Sequence, residues 1–274
     1  MTMKIIIPTY KREESQKCYY EMPESIRKNV IVCTHSGRGK LLQEKNPGMN
    51  VHEFEGELQI PKVRQACLEF DEKVLVIDDQ CIFWKRNYVE GKIKHVRLSQ
   101  PEEYEQMFEE IERELDNYFW VGPSPKSSNT LHKESRSEIT RSYSCYGLNR
   151  SMFREAGVRF TGLEEINPTA TILEDFYALL GMFTKGYKNL VLHDWVFDHK
   201  HGASGGNSVH RTNSNQDESQ KLLIKLFPEF VKQYEKENPS WVAEEGSSTR
   251  TEVRIAWKKS FKPKIETDLE ELFG

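Results

Sequence analysis

The stretch Lys73-Val-Leu-Val-Ile-Asp78-Asp79-Gln80 constrains this chain more than any other. Four consecutive apolar residues bounded by charge read as a short strand buried on both faces, the kind that sits inside a parallel sheet. Two adjacent carboxylates close its C-terminal end, where their mutual repulsion is costly unless a cation or a substrate offsets it. Ligands of open α/β sheets bind beyond the carboxyl ends of the strands. An Asp pair there suits Mg²⁺ or Mn²⁺, which take oxygen ligands and share them with substrate phosphates. The same residues also fit a strand followed by an Asx turn that satisfies its own backbone.

Other segments repeat the strand signal. Met3 to Pro8 is a β-branched run ended by proline, and Val30 to Cys33 runs into Thr34-His35-Ser36-Gly37. Val51 to Phe54 is a weaker third strand. Helical character falls between them, over Glu14 to Ile26, Leu41 to Lys45 and Pro61 to Phe70, the last with proline in its first turn. This alternation predicts an α/β fold, a mostly parallel sheet with helices on both faces.

Further along, Glu102 to Tyr118 places apolar residues at 104, 107, 108, 111 and 115, an amphipathic helix with an acidic solvent side. Phe119 to Val121 and Tyr143 to Leu148 read as extended, with an irregular loop expected over Gly122 to Arg141. Ser151 to Ala156 is a short helix stopped by Gly157, and Thr171 to Lys185 a longer one stopped by Gly186. Glu174 and Asp175 lie in its first turn, where the helix dipole favours negative charge and simple dipole compensation would also explain them. Asn189 to Phe197 is a strand leading into Asp198-His199-Lys200-His201 and a glycine-rich stretch. Gln216 to Leu226 and Pro228 to Lys236 read as helices, and Thr251 to Ser260 as a strand with a basic end.

The chain has 274 residues, 37% hydrophobic and 11% aromatic, enough for one large α/β domain. We expect a single domain over 1–260, with a donor-binding half at 1–98, an acceptor-binding half at 99–260 and a tail at 261–274. The five cysteines are scattered and odd in number, which suggests reduced thiols rather than a disulfide framework. No apolar run approaches a membrane span and no signal-peptide pattern opens the chain, so a cytoplasmic protein is expected. A net charge of -4 argues against broad adhesion to nucleic acid, yet basic residues gather at 126–141 and 250–264.

Taken together, Ile7-Pro8-Thr9-Tyr10-Lys11-Arg12, Arg64-Gln65, Ile77-Asp78-Asp79, Asn149-Arg150, Leu173-Glu174-Asp175-Phe176, Gly186-Tyr187, Gly205-Gly206-Asn207 and Trp257-Lys258-Lys259 resemble the phage glycosyltransferase family associated with TET/JBP-type base hydroxylases. The resemblance spans about residues 3 to 260. It implies a GT-A-like, Rossmann-like fold, a UDP-sugar donor, a divalent cation (Mn²⁺ or Mg²⁺), and an acceptor of double-stranded DNA carrying 5-hydroxymethylpyrimidines, in the cytoplasm of an infected host cell. On the resemblance, Pro8, Thr9, Arg12, Arg64, Gln65 and Asp78 would bind the donor. Asp79, helped by Asp78 and by His199, would hold the metal, and Gln80 stands where the usual motif has another aspartate. Asp175 would be the catalytic base, with Glu174 orienting it or the donor sugar, in an inverting reaction; the competing assignment makes Glu174 the base and Asp175 a helix cap. Lys126, Lys133, Arg136, Arg141 and Arg211 would contact DNA phosphates. Asp79→Ala is expected to leave the fold intact, since a charged loop residue contributes little packing. Three other readings fit parts of the pattern: a metal-dependent nuclease or nucleotidyltransferase, a noncatalytic DNA-binding module, and a glycosyltransferase acting on protein or polysaccharide.

Overall fold

The computed structural model describes residues 2–199, 212–237 and 249–264. Its centre is a ten-stranded sheet in the order β3-β2-β1-β4-β9-β7-β10-β5-β6, with β8 added against β10. These strands are β1 (Lys4–Pro8), β2 (Val30–Thr34), β3 (Val51–Glu53), β4 (Lys73–Ile77), β5 (Ile82–Val89), β6 (Lys92–Arg97), β7 (Trp120–Pro125), β8 (Arg136–Glu138), β9 (Cys145–Asn149) and β10 (Asn189–Asp198). The pairings of β1 with β2 and β4, of β2 with β3 and of β7 with β10 are parallel. β9 enters antiparallel between β4 and β7, so those two still point the same way and most strands share one direction. Strands from 99–260 (β9, β7 and β10, with β8) lie between two groups from 1–98 in one continuous sheet.

The apolar runs explain these strands. Val74 to Ile77 and Ile5 to Ile7 are each 0% exposed, as expected for strands covered on both faces. One face carries α1 (Lys17–Glu21), α2 (Glu24–Arg27), α3 (Gly39–Lys45) and α5 (Pro101–Glu114). The other carries α4 (Ile60–Leu68), α7 (Arg150–Ala156) and α9 (Glu174–Thr184). Tyr104, Met107, Phe108 and Ile111 form the buried stripe of α5, and burial of each such side chain is worth about 1.5–3 kcal/mol. A reciprocal box between Gln100 and Glu103 caps its start. Gly157 and Gly186 take φ of 63° and 82° after α7 and α9, the left-handed conformation their positions require.

Four segments differ from the sequence pattern. Between 122 and 141 the chain is not an irregular loop: it completes β7, forms α6 (Lys126–Asn129) and adds β8. The Asn129 amide holds it by donating to the His193 carbonyl at 2.8 Å, a distant contact that local composition does not encode. Residues 82–97, to which the pattern assigns no element, form the β5–β6 hairpin, turned at Glu90 (φ 52°) and Gly91 (φ 73°). Of 228–236, expected to be helical, residues from Val231 form β11 (Val231–Glu237), paired with β12 (Thr249–Ile255). Its charged residues favour helix, and tertiary pairing overrides them. Finally, 257–260 is not strand but α11 (Trp257–Ser260), packed on α9 through Phe176 and Phe183.

α8 (Gly162–Ile166) and α10 (Asn213–Leu226) complete a smaller apolar cluster with β11. No helix among the described residues is long and apolar enough to cross a membrane.

Candidate active site

The strand order reverses between β1 and β4: the chain leaves β1 towards β2 and β3, then crosses back to β4. A crevice forms at such a switch point, outside the carboxyl ends of the strands. The loops after β1 and β4 meet there. Asp79 Oδ2 accepts from the Thr9 hydroxyl at 2.8 Å, and Asp79 Oδ1 from Arg12 Nη1 at 2.6 Å. Gln16 Nε2 ties this pair from below, donating to Thr9 Oγ1 at 3.0 Å and to the Arg12 carbonyl at 2.7 Å. Gln80 turns away from the pair and donates to the Ser15 carbonyl at 2.9 Å.

The two aspartates therefore differ. The side chain of Asp79 is 4% exposed with both oxygens engaged, whereas that of Asp78 is 29% exposed. Burial raises the Asp79 carboxyl above its ordinary range, and Arg12 and Thr9 only partly offset it. Burial also works against ionisation at Asp78, but Arg64, with Nη2 at 2.6 Å, outweighs it and His199 adds to the effect, so that carboxyl is lowered. Asp78 is the ionised group that faces the crevice. Asp79 is thus held by Arg12 and Thr9, and Asp78 by Arg64.

Behind Asp78, α4 delivers Arg64 and the antiparallel β9 delivers Tyr146. The Arg64 guanidinium lies 5.4 Å from the centre of the Tyr146 ring, whose other neighbour is Trp120, stacked at 3.9 Å. Burial raises the Tyr146 hydroxyl well above its usual value; Arg64 pulls it down, and Asp78, Glu174 and Asp175 push it further up. Glu174 and Asp175, at the start of α9, thus act electrostatically on this tyrosine. Glu174 is buried and Asp175 half-buried, its Oδ1 accepting from the Phe176 amide at 2.9 Å. The α9 helix starts at Glu174, later than sequence alone suggests, because Leu173 sits in the left-handed region at φ 67°. Lys11 (φ 54°) and Ser144 (φ 61°) are also left-handed, and with Leu173 they adjoin Arg12, Asp78 and Glu174. Ser144 gives its carbonyl to the Asp78 amide at 2.7 Å. Strain of this kind persists where surrounding contacts fix it, commonly at functional sites.

On the β10 side, His199 lies 6.2 Å from Phe197 and 6.4 Å from Tyr143, ring centre to ring centre. Arg141 sits between two rings, 4.5 Å from Tyr143 and 4.8 Å from Phe176. Lys126 lies over Trp84 at 3.3 Å and 3.6 Å from Asp198 Oδ2, next to His199.

The structure thus gathers Thr9, Arg12, Arg64, Asp78, Asp79, Glu174, Asp175, His199 and Arg141, with Pro8 ending β1 beside them. Other sequence candidates stand apart. Gln65 accepts from the Phe160 amide at 3.1 Å and donates to Glu69 at 3.2 Å, which fixes α4 rather than facing the crevice. Arg136 pairs with Glu110 at 2.8 Å and Glu114 at 3.1 Å on acidic α5, so its charge is already matched. Lys133 is exposed beyond α6. Arg211, His201 and Gly205-Gly206-Asn207 lie outside the described residues.

Sequence reasoning missed Tyr146 and Tyr143, whose place depends on β9 inserting beside β4. It also missed the aromatic lining after β1 and β2. There Tyr10 and His35 pack edge to face at 4.5 Å, Tyr10 bonds Glu57, and His35 Nδ1 accepts from the Leu58 amide at 2.9 Å.

Asp78 and Asp79 offer carboxylate oxygens, the donor type that Mg²⁺ and Mn²⁺ prefer, and His199 offers a ring nitrogen. Among the described residues no group of three or more His, Cys, Asp or Glu could hold an ion alone. Mg²⁺ and Mn²⁺ are commonly held this way, by one or two protein groups plus water and substrate phosphates.

A family model described as TET-Associated Glycosyltransferase matches residues 3–200. No curated protein matches the sequence. Among solved structures, the chain is similar to GalNAc-T7, crystallised with UDP, GalNAc and Mn²⁺, at 11% identity and a TM-score of 0.44. That likeness covers 83% of this chain and 48% of the other, so the chain spans about half that protein's length. It is also similar to 4-diphosphocytidyl-2C-methyl-D-erythritol synthase from Anaerococcus prevotii DSM 20548, at 12% identity and a TM-score of 0.39, covering 81% of this chain and 97% of that one.

Proposed function

The chain belongs to the TET-associated glycosyltransferase family, and from that premise we propose that it moves a sugar from a UDP donor to the hydroxymethyl group of a 5-hydroxymethylpyrimidine in DNA. One observation carries the reading. At the strand switch point Arg64 pairs with Asp78, the His199 imidazole acts on the same carboxylate, and the Glu174-Asp175 pair acts on the neighbouring Tyr146, from three separate parts of the chain. Glycosyl transfer needs such a set: a group to hold the departing diphosphate, a base for the acceptor hydroxyl, and cations for phosphate.

The roles follow from exposure and charge. Thr9 and Arg12 hold Asp79, and this braced loop with the Tyr10–His35 wall forms the donor's nucleotide side. Asp78 and His199 would hold Mn²⁺ or Mg²⁺, which when bound neutralises charge building on the diphosphate. Asp175, the more open of the acidic pair, takes the proton from the acceptor hydroxyl as its oxygen attacks the anomeric carbon. Attack from the face opposite the leaving diphosphate inverts that centre. Arg141, stacked between Tyr143 and Phe176 on the acceptor side, and Lys126 contact the DNA backbone. A duplex presents the 5-substituent of a pyrimidine in its major groove, so the hydroxyl is reachable there.

The test is incubation of the protein, with Mn²⁺ or Mg²⁺, with a panel of UDP-sugars and with duplexes containing 5-hydroxymethylcytosine, 5-hydroxymethyluracil or unmodified bases. Nucleoside mass spectrometry should find one hexose or pentose added, only to a hydroxymethylated base. Transfer to saccharides or proteins with no response to DNA would refute the acceptor assignment, and DNA cleavage with metal alone would favour a nuclease.

A further inference from the structure

The β5–β6 hairpin carries five basic residues, Lys85, Arg86, Lys92, Lys94 and Arg97, against one carboxylate, Glu90, in a chain whose net charge is -4. Only its first part is bound to the rest of the sheet: β5 pairs with β10 from Ile82 to Lys85, and β6 is the last strand in the order. From Arg86 outward the two strands form a ribbon held by their own pairing. One face of this ribbon is anchored. Arg86 donates to the His132 and Glu134 carbonyls, the Tyr88 hydroxyl donates to the Lys133 carbonyl at 3.3 Å, and His95 bonds Asn129 at 2.9 Å. The ribbon is therefore a fixed arm.

The other face differs. Cross-strand partners share a face, and the successive rungs there are Lys85–Val96, Asn87–Lys94 and Val89–Lys92. Each rung carries one lysine, and the two-residue repeat sets the rungs about 7 Å apart. Asn87, Val89, Lys92, Lys94 and Val96 are all exposed. Arg86 and Arg97 are matched by Asp194 and Glu21, whereas among the described residues no carboxylate pairs with Lys85, Lys92 or Lys94. A line of evenly spaced, uncompensated cations complements a linear polyanion, and lysine meets phosphate as a point charge. The row starts at Lys85, over the Trp195 ring at 5.4 Å, and leads away from Ile82, the register partner of Asp198 next to His199. A strand from Ile82 to Val89 spans roughly 23 Å, or about seven base pairs of duplex.

We propose that this face of the β5–β6 ribbon grips the phosphate backbone of the acceptor duplex, about seven base pairs from the base at the crevice. This rests on the DNA-acceptor reading given above and adds to it a contact remote from the chemistry. Lysines also keep an edge strand such as β6 from pairing with another sheet, a duty that needs no DNA.

The two duties are separated by comparing wild type with the double variant Lys92→Gln, Lys94→Gln, which removes both charges from exposed positions and leaves the anchored face intact. Fluorescence anisotropy follows binding to duplexes of ~24 and ~8 base pairs centred on 5-hydroxymethylcytosine, of which only the longer reaches the ribbon. On the long duplex the variant should bind about tenfold more weakly at ~0.1 M salt, and its slope of log K against log salt should fall by about 2. On the short duplex the two proteins should agree within about twofold. Unchanged affinity for the long duplex would overturn the proposal and leave the lysines as guards of the sheet edge. An equal loss on both duplexes would overturn it too, because the contact would then not be remote. Tighter binding of polyglutamate than of the long duplex by wild type would assign the ribbon to an acidic protein instead. Wild-type transfer from the UDP-sugar panel to the long duplex is measured alongside. If transfer occurs while the variant binds normally, the ribbon proposal alone falls; if wild type neither binds nor modifies either duplex, the DNA-acceptor reading falls with it.

Discussion

Replacing Asp79 with alanine should unfold this protein more readily, contrary to what a charged loop residue suggests. The deletion strips a charged acceptor from Arg12 Nη1 and a buried acceptor from the Thr9 hydroxyl. The side chain of Arg12 is 15% exposed, so water repairs little of the loss. Removing one partner of a buried pair typically costs about 3–5 kcal/mol, because the remaining charge stays desolvated. The ion pair need not be a net source of stability for this to hold. Burial raises the Asp79 carboxyl despite Arg12, so bringing that charge inside costs more than the attraction returns. What the variant loses is the solvation that Asp79 gives its partners. At roughly 2–4 °C per kcal/mol for a domain of this size, the melting temperature should fall by at least ~6 °C in Asp79→Ala. Asp79→Asn, which keeps the shape and one acceptor oxygen, should fall by less. Scanning calorimetry at pH 7 measures both. A melting temperature of Asp79→Ala within ~2 °C of wild type would refute the reasoning, and would return Asp79 to the list of ligand-facing residues.

Other outcomes follow from the same geometry. Asp175→Asn should lower turnover about 10²-fold or more while UDP-sugar affinity by calorimetry survives, since shape is kept and basicity lost. Chelation by EDTA should abolish transfer, and added Mn²⁺ or Mg²⁺ should restore it; full activity in EDTA would remove the metal from the mechanism. His193 is 1% exposed and held neutral down to about 4, by burial first and then by His132 and Arg86. Its ordinary value of 6.5 belongs to the unfolded chain, so this stability is complete above pH 6.5 and lost as pH falls towards 4. The loss is about 3 kcal/mol in full and roughly 2 kcal/mol at pH 5. Urea midpoints at pH 7 and 5 should show that slope in wild type and a flatter one in His193→Gln.

Segments whose local pattern agrees with their environment were legible in the sequence. Val74 to Ile77 is apolar because both faces are covered, α5 is striped because one face is, and Gly157 and Gly186 stop helices because they accept positive φ. The hairpin at 82–97 was not legible, because β5 buries a charged residue, Arg86, and leaves an aromatic one, Tyr88, exposed. The Arg86 guanidinium is buried against the His132 and Glu134 carbonyls and Asp194, so a charged residue occupies an inward position. β11 was illegible for a related reason: its residues favour helix and only the partner strand overrides them. In the crevice, Asp78-Asp79 and Glu174-Asp175 were visible as pairs. Which member of each faces the ligand depends on Arg12, Arg64 and the left-handed turn at Leu173, contacts made far away in sequence or set by backbone strain.

That division of labour within each acidic pair explains how one strand end tolerates two carboxylates. Asp79 is drawn inward and joined to Arg12 and Thr9, which braces the loop after β1. Asp78 stays at the surface of the crevice, kept ionised by Arg64 and His199. The same separation recurs at α9, where Glu174 is buried and Asp175 half-buried. In both pairs one carboxylate is enclosed and the other more open, and in the proposed mechanism the open one does the chemistry. The enclosed members should therefore respond to substitution mainly through stability or donor affinity, and the open ones mainly through turnover. Glu174→Gln supplies the sharper case. It should raise the KM for the UDP-sugar more than it lowers kcat, whereas Asp175→Asn should do the reverse. Steady-state kinetics of the two variants on one hydroxymethylated duplex would distinguish them, and a larger kcat loss in Glu174→Gln would exchange their roles.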